Sequence, residues 1–307
     1  MSRDFEGAVA LVTGAGNGLG FCHAQYLAER GARIVVNDLG GGTLGLADQG
    51  IDGDTAERAA ARIRDAGGEA ISNNGSVADP STAQTTVEQA IDTWGRIDIV
   101  VNNAGFASSQ MFPDVDQDEM QRHVGVTLLG CLNSARAAWP HMVEQKSGRI
   151  GRIVNTGSAA CFGNPIASYA STKAGLFGLT RTLAIFGREH NINVNLLLPA
   201  AFSRLTDGLP ESDFKARLRS EFAPEKASPV VGYLCSDRCK VSSEAFSVGG
   251  GKFSRIVYAA SPAAEIDASM DSVEKGMSQV MAATNLDVLD STHDALLNLG
   301  FPEDIPR

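Results

Sequence analysis

Short apolar runs alternate with longer helical patterns along most of the chain. Residues 8–12 form the first run, followed by a glycine-rich turn and a helical stretch to about residue 30. Residues 33–37, 69–72, 98–102, 152–155 and 193–197 repeat the strand-like pattern, with helical segments such as 56–66 between them. Apolar strands bounded by turns and separated by helices predict a parallel sheet covered on both faces. Right-handed crossovers then give an α/β fold built on a single doubly wound parallel sheet.

Three stretches depart from this rhythm. Residues 39–54 form a long loop holding Gly40, Gly41, Gly42, Gly45, Gly50 and Gly53, and loops of that length are usually functional or mobile. The direct repeat Gly148-Arg149-Ile150-Gly151-Arg152-Ile153 is too short for a repeat architecture and reads as a three-residue insertion before a strand. Near the C-terminus the chain becomes a polar tail with two short helical patterns. The expected organisation is a domain over residues 1–255 and an extension over 256–307, packed on the body or on a neighbouring subunit.

Composition narrows the function classes. With 43% hydrophobic and 20% charged residues the chain reads as a globular enzyme. No apolar run approaches the roughly 20 residues of a membrane helix, and the first residues lack the apolar core of a signal peptide. The expectation is a cytoplasmic protein without membrane insertion. A net charge of −10 and the lack of any basic run argue against nucleic-acid binding. Five scattered cysteines and no H-x-x-x-H pair predict reduced structural thiols and no metal site.

Two constellations carry chemistry. Thr13-Gly14-Ala15-Gly16-Asn17-Gly18-Leu19-Gly20 follows the first strand and opens the first helix. Such a turn lets backbone approach a pyrophosphate, and the helix N-terminus supplies free N–H groups and a positive dipole end. Asp38 ends the second strand, where a carboxylate can accept from the ribose hydroxyls of NAD and repel the 2′-phosphate of NADP. This makes the sheet a Rossmann fold and NAD the expected cofactor. Downstream lie Asn102-Asn103-Ala104-Gly105, then Ser158, then Tyr169-Ala170-Ser171-Thr172-Lys173. Tyr and Lys four apart share a helix face. An ammonium beside a phenol favours the phenolate, which makes proton exchange with an alcohol feasible near neutral pH.

In this order the motifs resemble the short-chain dehydrogenase/reductase family over residues 5–255, with Asn195 and Pro199 also matching. The resemblance implies Tyr169 as acid/base, Lys173 as its charged neighbour and a ribose ligand, and Ser158 as the hydroxyl that polarises the substrate oxygen, with Thr156 the alternative. It implies a cofactor site of Gly14, Asn17, Gly18, Leu19, Gly20, Asp38, Ser76, Val77, Asn103, Ala104, Gly105, Tyr169, Lys173, Pro199 and Thr206. Asn17 stands where NADP-preferring members often carry a basic residue, which again favours NAD.

Within the family, residues 36–41, 136–142, 199–206 and 246–251 are most similar to (3R)-hydroxyacyl-CoA dehydrogenase units of type 2 multifunctional enzymes and to bacterial 17β-hydroxysteroid dehydrogenases. Three positions depart from the family pattern. Thr127 replaces the usual relay Asn, Gly75 replaces an Asp near the adenine, and Ser158 precedes Tyr169 by only 11 residues.

The expected substrate is a lipophilic secondary alcohol or ketone. The acidic chain favours a hydroxysteroid-like molecule, and a (3R)-3-hydroxyacyl-CoA is the alternative, with Arg204, Lys215, Arg217 and Arg219 as candidate phosphate ligands. Residues 200–222 are read either as a lid or as a helix packed on the body. A non-enzymatic nucleotide-sensing or scaffold protein on the same fold is the reading from a different class. A homodimer or homotetramer built on residues 117–144 and 168–188 is the expected assembly.

Overall fold

The computed structural model describes residues 4–42, 51–108, 110–145, 151–208 and 210–304, apart from the side chains of residues 204 and 205. Residues 43–50 of the glycine-rich loop, residues 148–150 of the tripeptide repeat and the Arg204 side chain therefore lie outside the described set. The chain divides into two compact units, residues 1–255 and 256–307.

The first unit is built on eight strands. They are β1 (Val9–Thr13), β2 (Arg33–Asn37), β3 (Glu69–Asn73), β4 (Ile99–Asn102), β5 (Gly151–Thr156), β6 (Ile192–Pro199), β7 (Ala245–Gly249) and β8 (Lys252–Ile256). They lie side by side in the order β3-β2-β1-β4-β5-β6-β7-β8. Every pairing from β3 to β7 is parallel. Gly250 and Gly251, both at positive φ, join β7 to β8, and a two-residue connection of this kind makes a tight hairpin. The chain order reverses between β1 and β4, and crevices at such reversals are where doubly wound sheets bind ligands.

The helices are α1 (Gly18–Ala28), α2 (Thr55–Asp65), α3 (Pro80–Trp94), α4 (Gln117–His123), α5 (Gly130–Glu144), α6 (Ala167–Gly187), α7 (Arg204–Asp207), α8 (Asp213–Glu221) and α9 (Ser228–Cys235). A π-helical turn, Val124–Leu129, joins α4 to α5. Alternation along the strands builds two cores. Ala10, Val12, Ile34 and Val36 face a cluster with α1, α2 and α9. Val9, Leu11, Val35 and Val100 face the opposite cluster with α3 and α5. Each fully buried Val, Ile or Leu contributes about 1.5–3 kcal/mol, so covering both faces drives the layered arrangement.

Buried polar ties set the strand ends. Asn102 Nδ2 donates to Asn155 Oδ1 (2.9 Å), and Asn155 Nδ2 donates to Thr180 Oγ1 (2.9 Å), linking β4, β5 and α6. The wholly buried Arg152 guanidinium donates to the Ser236 carbonyl through Nε (3.1 Å) and one terminal nitrogen (2.9 Å). Cys22, Cys131, Cys161, Cys235 and Cys239 are free thiols.

The second unit pairs β9 (Ala259–Ala260) antiparallel with β10 (Asp287–Val288), with α10 (Met270–Ala282) between them and α11 (Thr292–Asn298) after them. Asn298 Nδ2 donates to the Ser261 carbonyl (3.1 Å) and ties α11 back to the start of the unit. Among the described residues no helix is long and apolar enough to cross a membrane.

Candidate active site

A cavity of about 1180 Å³ runs over the C-terminal ends of β1, β2, β4, β5 and β6. Pockets for one small ligand span roughly 300–1,000 Å³, so this one has room for a dinucleotide and a second molecule. Ser158, Tyr169 and every residue of the expected cofactor set line its wall.

At one end the glycine turn is shaped by close packing. A Cβ on Gly14 would stand 2.7 Å from Ala104 Cα, one on Gly16 would stand 2.8 Å from an Asp38 carboxylate oxygen, and one on Gly20 would stand 2.5 Å from Asn103 Nδ2. Gly18 differs in that nothing lies within 4 Å of a Cβ there, though its φ of +54°, like the +61° of Gly14, favours glycine. Three glycines let the backbone fold tightly, and the fourth leaves open space at the N-terminus of α1. The first N–H groups of a helix have no intrahelical acceptor, so the cradle fits a pyrophosphate.

Asn103 locks this turn. Its Nδ2 donates to the Thr13 and Gly14 carbonyls, both at 3.0 Å, while Thr13 Oγ1 accepts from the Asn103 and Ala104 N–H groups at 3.0 Å. The Asn103 side chain thus builds the cradle rather than reaching across it. Asp38 clasps two loops: one carboxylate oxygen accepts from Gly16 N–H and the other from Gly40 N–H, each at 2.8 Å. A carboxylate has about four lone-pair sites, so both oxygens keep capacity for ribose hydroxyls. Further along the wall a Cβ on Gly75 would strike Thr82 Cγ2, so a larger residue there needs the Thr82 side chain to move. Asn133 Nδ2 donates to the Val77 carbonyl (3.1 Å), and Ser76 Oγ accepts from Ala78 N–H (3.3 Å).

At the other end α6 presents Tyr169 and Lys173. Lys173 is buried, its Nζ donating to the Thr156 carbonyl at 2.7 Å and lying 5.7 Å from the Tyr169 ring centroid. The Lys173 amino group therefore lies beside the phenol while bonded to a neutral acceptor. Burial pushes the nearby Cys131 thiol up to about 12, against the opposing influence of the Lys173 charge. Ser158 caps a short turn, its Oγ accepting from Ala160 N–H (3.2 Å), so its hydroxyl proton remains available to the cavity. Thr156 lines the same wall, but its Oγ1 is buried without a hydrogen-bond partner.

Thr127 does not line the cavity. It sits inside the π-helical turn, buried, with no partner for its Oγ1. Thr206 reaches the wall, but its hydroxyl belongs to a capping box: it accepts from Ser203 N–H (2.7 Å) and faces the Ser203 carbonyl (3.0 Å).

Helix α8 is part wall and part rim, with Leu218 buried and Phe214 exposed, both on the cavity. Its cations are engaged at home. Lys215 Nζ meets Glu211 at 2.7 Å and the Asp207 carbonyl at 2.5 Å, and Arg219 meets Asp207 at 3.3 Å. Phe106, Arg122 and Ile166 line the same cavity without any motif; only Phe106 carries a signal, by following Gly105.

Comparison with known proteins agrees with this geometry. The profile of the family described as short chain dehydrogenase matches residues 8–212. Peroxisomal multifunctional enzyme type 2 of Mus musculus is 40% identical over 248 residues, covering 80% of this chain and 32% of that protein. Peroxisomal hydratase-dehydrogenase-epimerase of Saccharomyces cerevisiae is 40% identical over 82% of this chain and 27% of its own length. The chain thus spans about a third or less of these longer relatives. A putative short-chain type dehydrogenase/reductase of Mycobacterium tuberculosis, Rv0148, is 38% identical, with 84% of this chain and 88% of that protein covered. Among solved structures, a short chain dehydrogenase from Mycobacterium avium superposes with a TM-score of 0.77 at 30% identity, covering 92% of this chain and 96% of that one. The chain belongs to the short-chain dehydrogenase family, oxidoreductases acting on CH–OH donors.

Proposed function

We propose that the chain catalyses the reversible, NAD-dependent oxidation of a secondary alcohol to a ketone, with (3R)-3-hydroxyacyl-CoA as the substrate class. The observation that carries the reaction type is the meeting of Ser158, Tyr169 and Lys173 on one cavity whose far end holds Asp38 and the glycine cradle. Similarity to the type 2 multifunctional enzymes supports the substrate class, ahead of the hydroxysteroid-like molecule that composition favours. One observation keeps the hydroxysteroid as the second reading: Lys215 and Arg219 are paired within their own segment, which leaves them poorly placed for CoA phosphates.

When bound, the nicotinamide supplies the hydride acceptor. Ser158 donates its hydroxyl proton to the substrate oxygen and holds it near Tyr169. Tyr169, as phenolate, takes the alcohol proton, and the fixed charge of Lys173 favours that phenolate. In the reverse direction Tyr169 returns the proton to the forming alcohol. Asp38 holds the ribose hydroxyls and disfavours a 2′-phosphate. Pro199 and Thr206 border the nicotinamide end, and Ser76 and Val77 border the adenine. Thr127, at the family's relay position, is buried in the π-helical turn away from the cavity wall, and no step is assigned to its hydroxyl. The assembly is a homodimer or homotetramer formed through residues 117–144 and 168–188.

The test is steady-state NADH formation with NAD and either a (3R)-3-hydroxyacyl-CoA or a 17β-hydroxysteroid. Turnover of the thioester is expected; turnover of the steroid alone would replace it with the second reading. Tyr169→Phe is expected to abolish turnover and keep NADH binding, and an active Tyr169→Phe would remove the proton carrier.

A further inference from the structure

The last residue of α4 stands behind the proposed proton carrier. His123 is wholly buried, its ring stacked on Phe106 (centroids 4.1 Å apart, 31° between planes) and meeting Tyr169 edge-on (6.0 Å, 74°). Its Nδ1 lies 3.3 Å from both the carbonyl and a carboxylate oxygen of Glu119. Glu119 is itself buried, ion-paired to Arg122, with its N–H donating to the capping Asp116 (2.7 Å). The imidazole is therefore oriented by a chain of anchors that begins at the N-cap of the helix.

A hydrocarbon side chain would fill this slot at lower cost. His123 Nε2 is buried without a well-formed hydrogen bond, the Phe106 carbonyl being a backbone acceptor beside the ring, and a poorly satisfied buried group is destabilising. The groups that face the two rings are Glu119 and Arg122 on α4, the Phe106 carbonyl, and Lys173 on α6. Burial holds the imidazole below its ordinary range despite the Glu119 carboxylate, so at neutral pH it adds shape and direction without charge. On the other side Lys173 is pinned by the Thr156 carbonyl of β5.

We propose that His123 is a positioning residue for the reaction: its Glu119-anchored ring wedges between Phe106 and Tyr169 and sets the phenol's distance from Lys173. The inference rests on Tyr169 being the proton carrier. Misplacing a reacting group by about 1 Å can cost on the order of 100-fold in rate.

The full chain is assayed as His123→Ala and His123→Phe, with kcat, KM, NADH affinity and the pH profile of kcat measured. His123→Ala is expected to lower kcat at pH 7 by about tenfold or more, with KM and NADH affinity close to wild type. Its acid limb should move to higher pH, so that part of the rate returns in alkaline buffer. His123→Phe keeps a ring in the slot without the Glu119 anchor and should restore part of kcat. Should His123→Ala fail to fold, His123→Gln, which lacks the ring, is read in its place. An unchanged kcat in the ringless variant overturns the proposal, as does a loss that is equal at every pH or shared with NADH affinity. Tyr169→Phe in the same assay separates the two ideas: if it still turns over, the proton carrier is wrong, and if it is dead while the ringless variant matches wild type, only the wedge is wrong.

Discussion

Replacing Asp38 by Asn tests the cofactor end with a magnitude that follows from its contacts. The carboxylate is half-buried and holds the Gly16 and Gly40 N–H groups, one on each oxygen. A 2′-phosphate beside it would place two negative charges about 4 Å apart, a repulsion of about 4 kcal/mol at an effective dielectric of 20. Solvent screening at a half-buried site reduces this to roughly 2 kcal/mol, or about 30-fold in affinity. Asn removes the charge and keeps one acceptor, so one of the two N–H groups loses its partner at a cost of about 1–3 kcal/mol. NADH binding should therefore weaken about tenfold or more, while the preference for NADH over NADPH falls by about 30-fold. Fluorescence titration of both reduced cofactors against wild type and variant reads the ratio directly. A ratio unchanged within about threefold, or a wild type that binds NADPH as tightly as NADH, would refute the electrostatic argument.

Other expectations follow from single contacts. Gly20→Ala drives a Cβ into the Gly14 carbonyl and to 2.5 Å from Asn103 Nδ2, so cofactor binding should be lost and urea denaturation should show a deficit of about 3 kcal/mol or more; Gly18→Ala, which meets only backbone strain, should cost the fold about 1 kcal/mol. His23 is wholly buried against Ser228, and burial pushes its imidazole down to about 4. The unfolded state thus binds the extra proton first, so unfolding free energy should fall by about 3 kcal/mol between pH 6.5 and pH 4 from this group and level off below; His23→Gln, compared with wild type by denaturation at pH 7 and pH 4.5, should flatten that slope. Ile185 and Phe186 on α6 are exposed apolar side chains, and Phe186→Glu should shift the mass measured by light scattering towards the monomer, with an unchanged mass removing α6 from the assembly.

Strands buried on both faces were legible because each residue has an apolar neighbour on one side of the sheet or the other. Val9 and Ala10 belong to opposite cores yet read as one run. Strand β7 escaped that signal: in Ala245–Gly249 only Ala245 and Val248 are buried, which matches neither a continuous run nor strict alternation. The glycine turn, Asp38, Ser158, Tyr169 and Lys173 were legible as spacing along the chain. Partnerships between distant segments were not. Lys215 with Glu211 follows the i,i+4 rule and could be anticipated, whereas Arg219 with Asp207 depends on how α7 turns into α8. Thr127 shows the limit most plainly. Resemblance to the family puts it at a relay position, while packing puts its hydroxyl inside the π-helical turn and off the cavity wall.

Charge on the cavity wall constrains how an acyl-CoA enters. Asp38 sits at the ribose end, Lys173 is committed to the Thr156 carbonyl beside Tyr169, and Arg122 is paired with the buried Glu119 while Asp118 stands close by in sequence on the same wall. Beyond the nicotinamide end, the described wall therefore carries no surplus of positive charge to match phosphates. It offers instead Phe106, Ile166, Phe214 and Leu218, surfaces suited to an acyl chain. A hydroxyacyl-CoA bound here would place its hydroxyl between Ser158 and Tyr169 and its acyl chain along these side chains, with the charged nucleotide held at the mouth. Recognition of the reacting end would then rest on shape and two hydroxyls, and the proton-carrying pair would serve any lipophilic alcohol that reaches it.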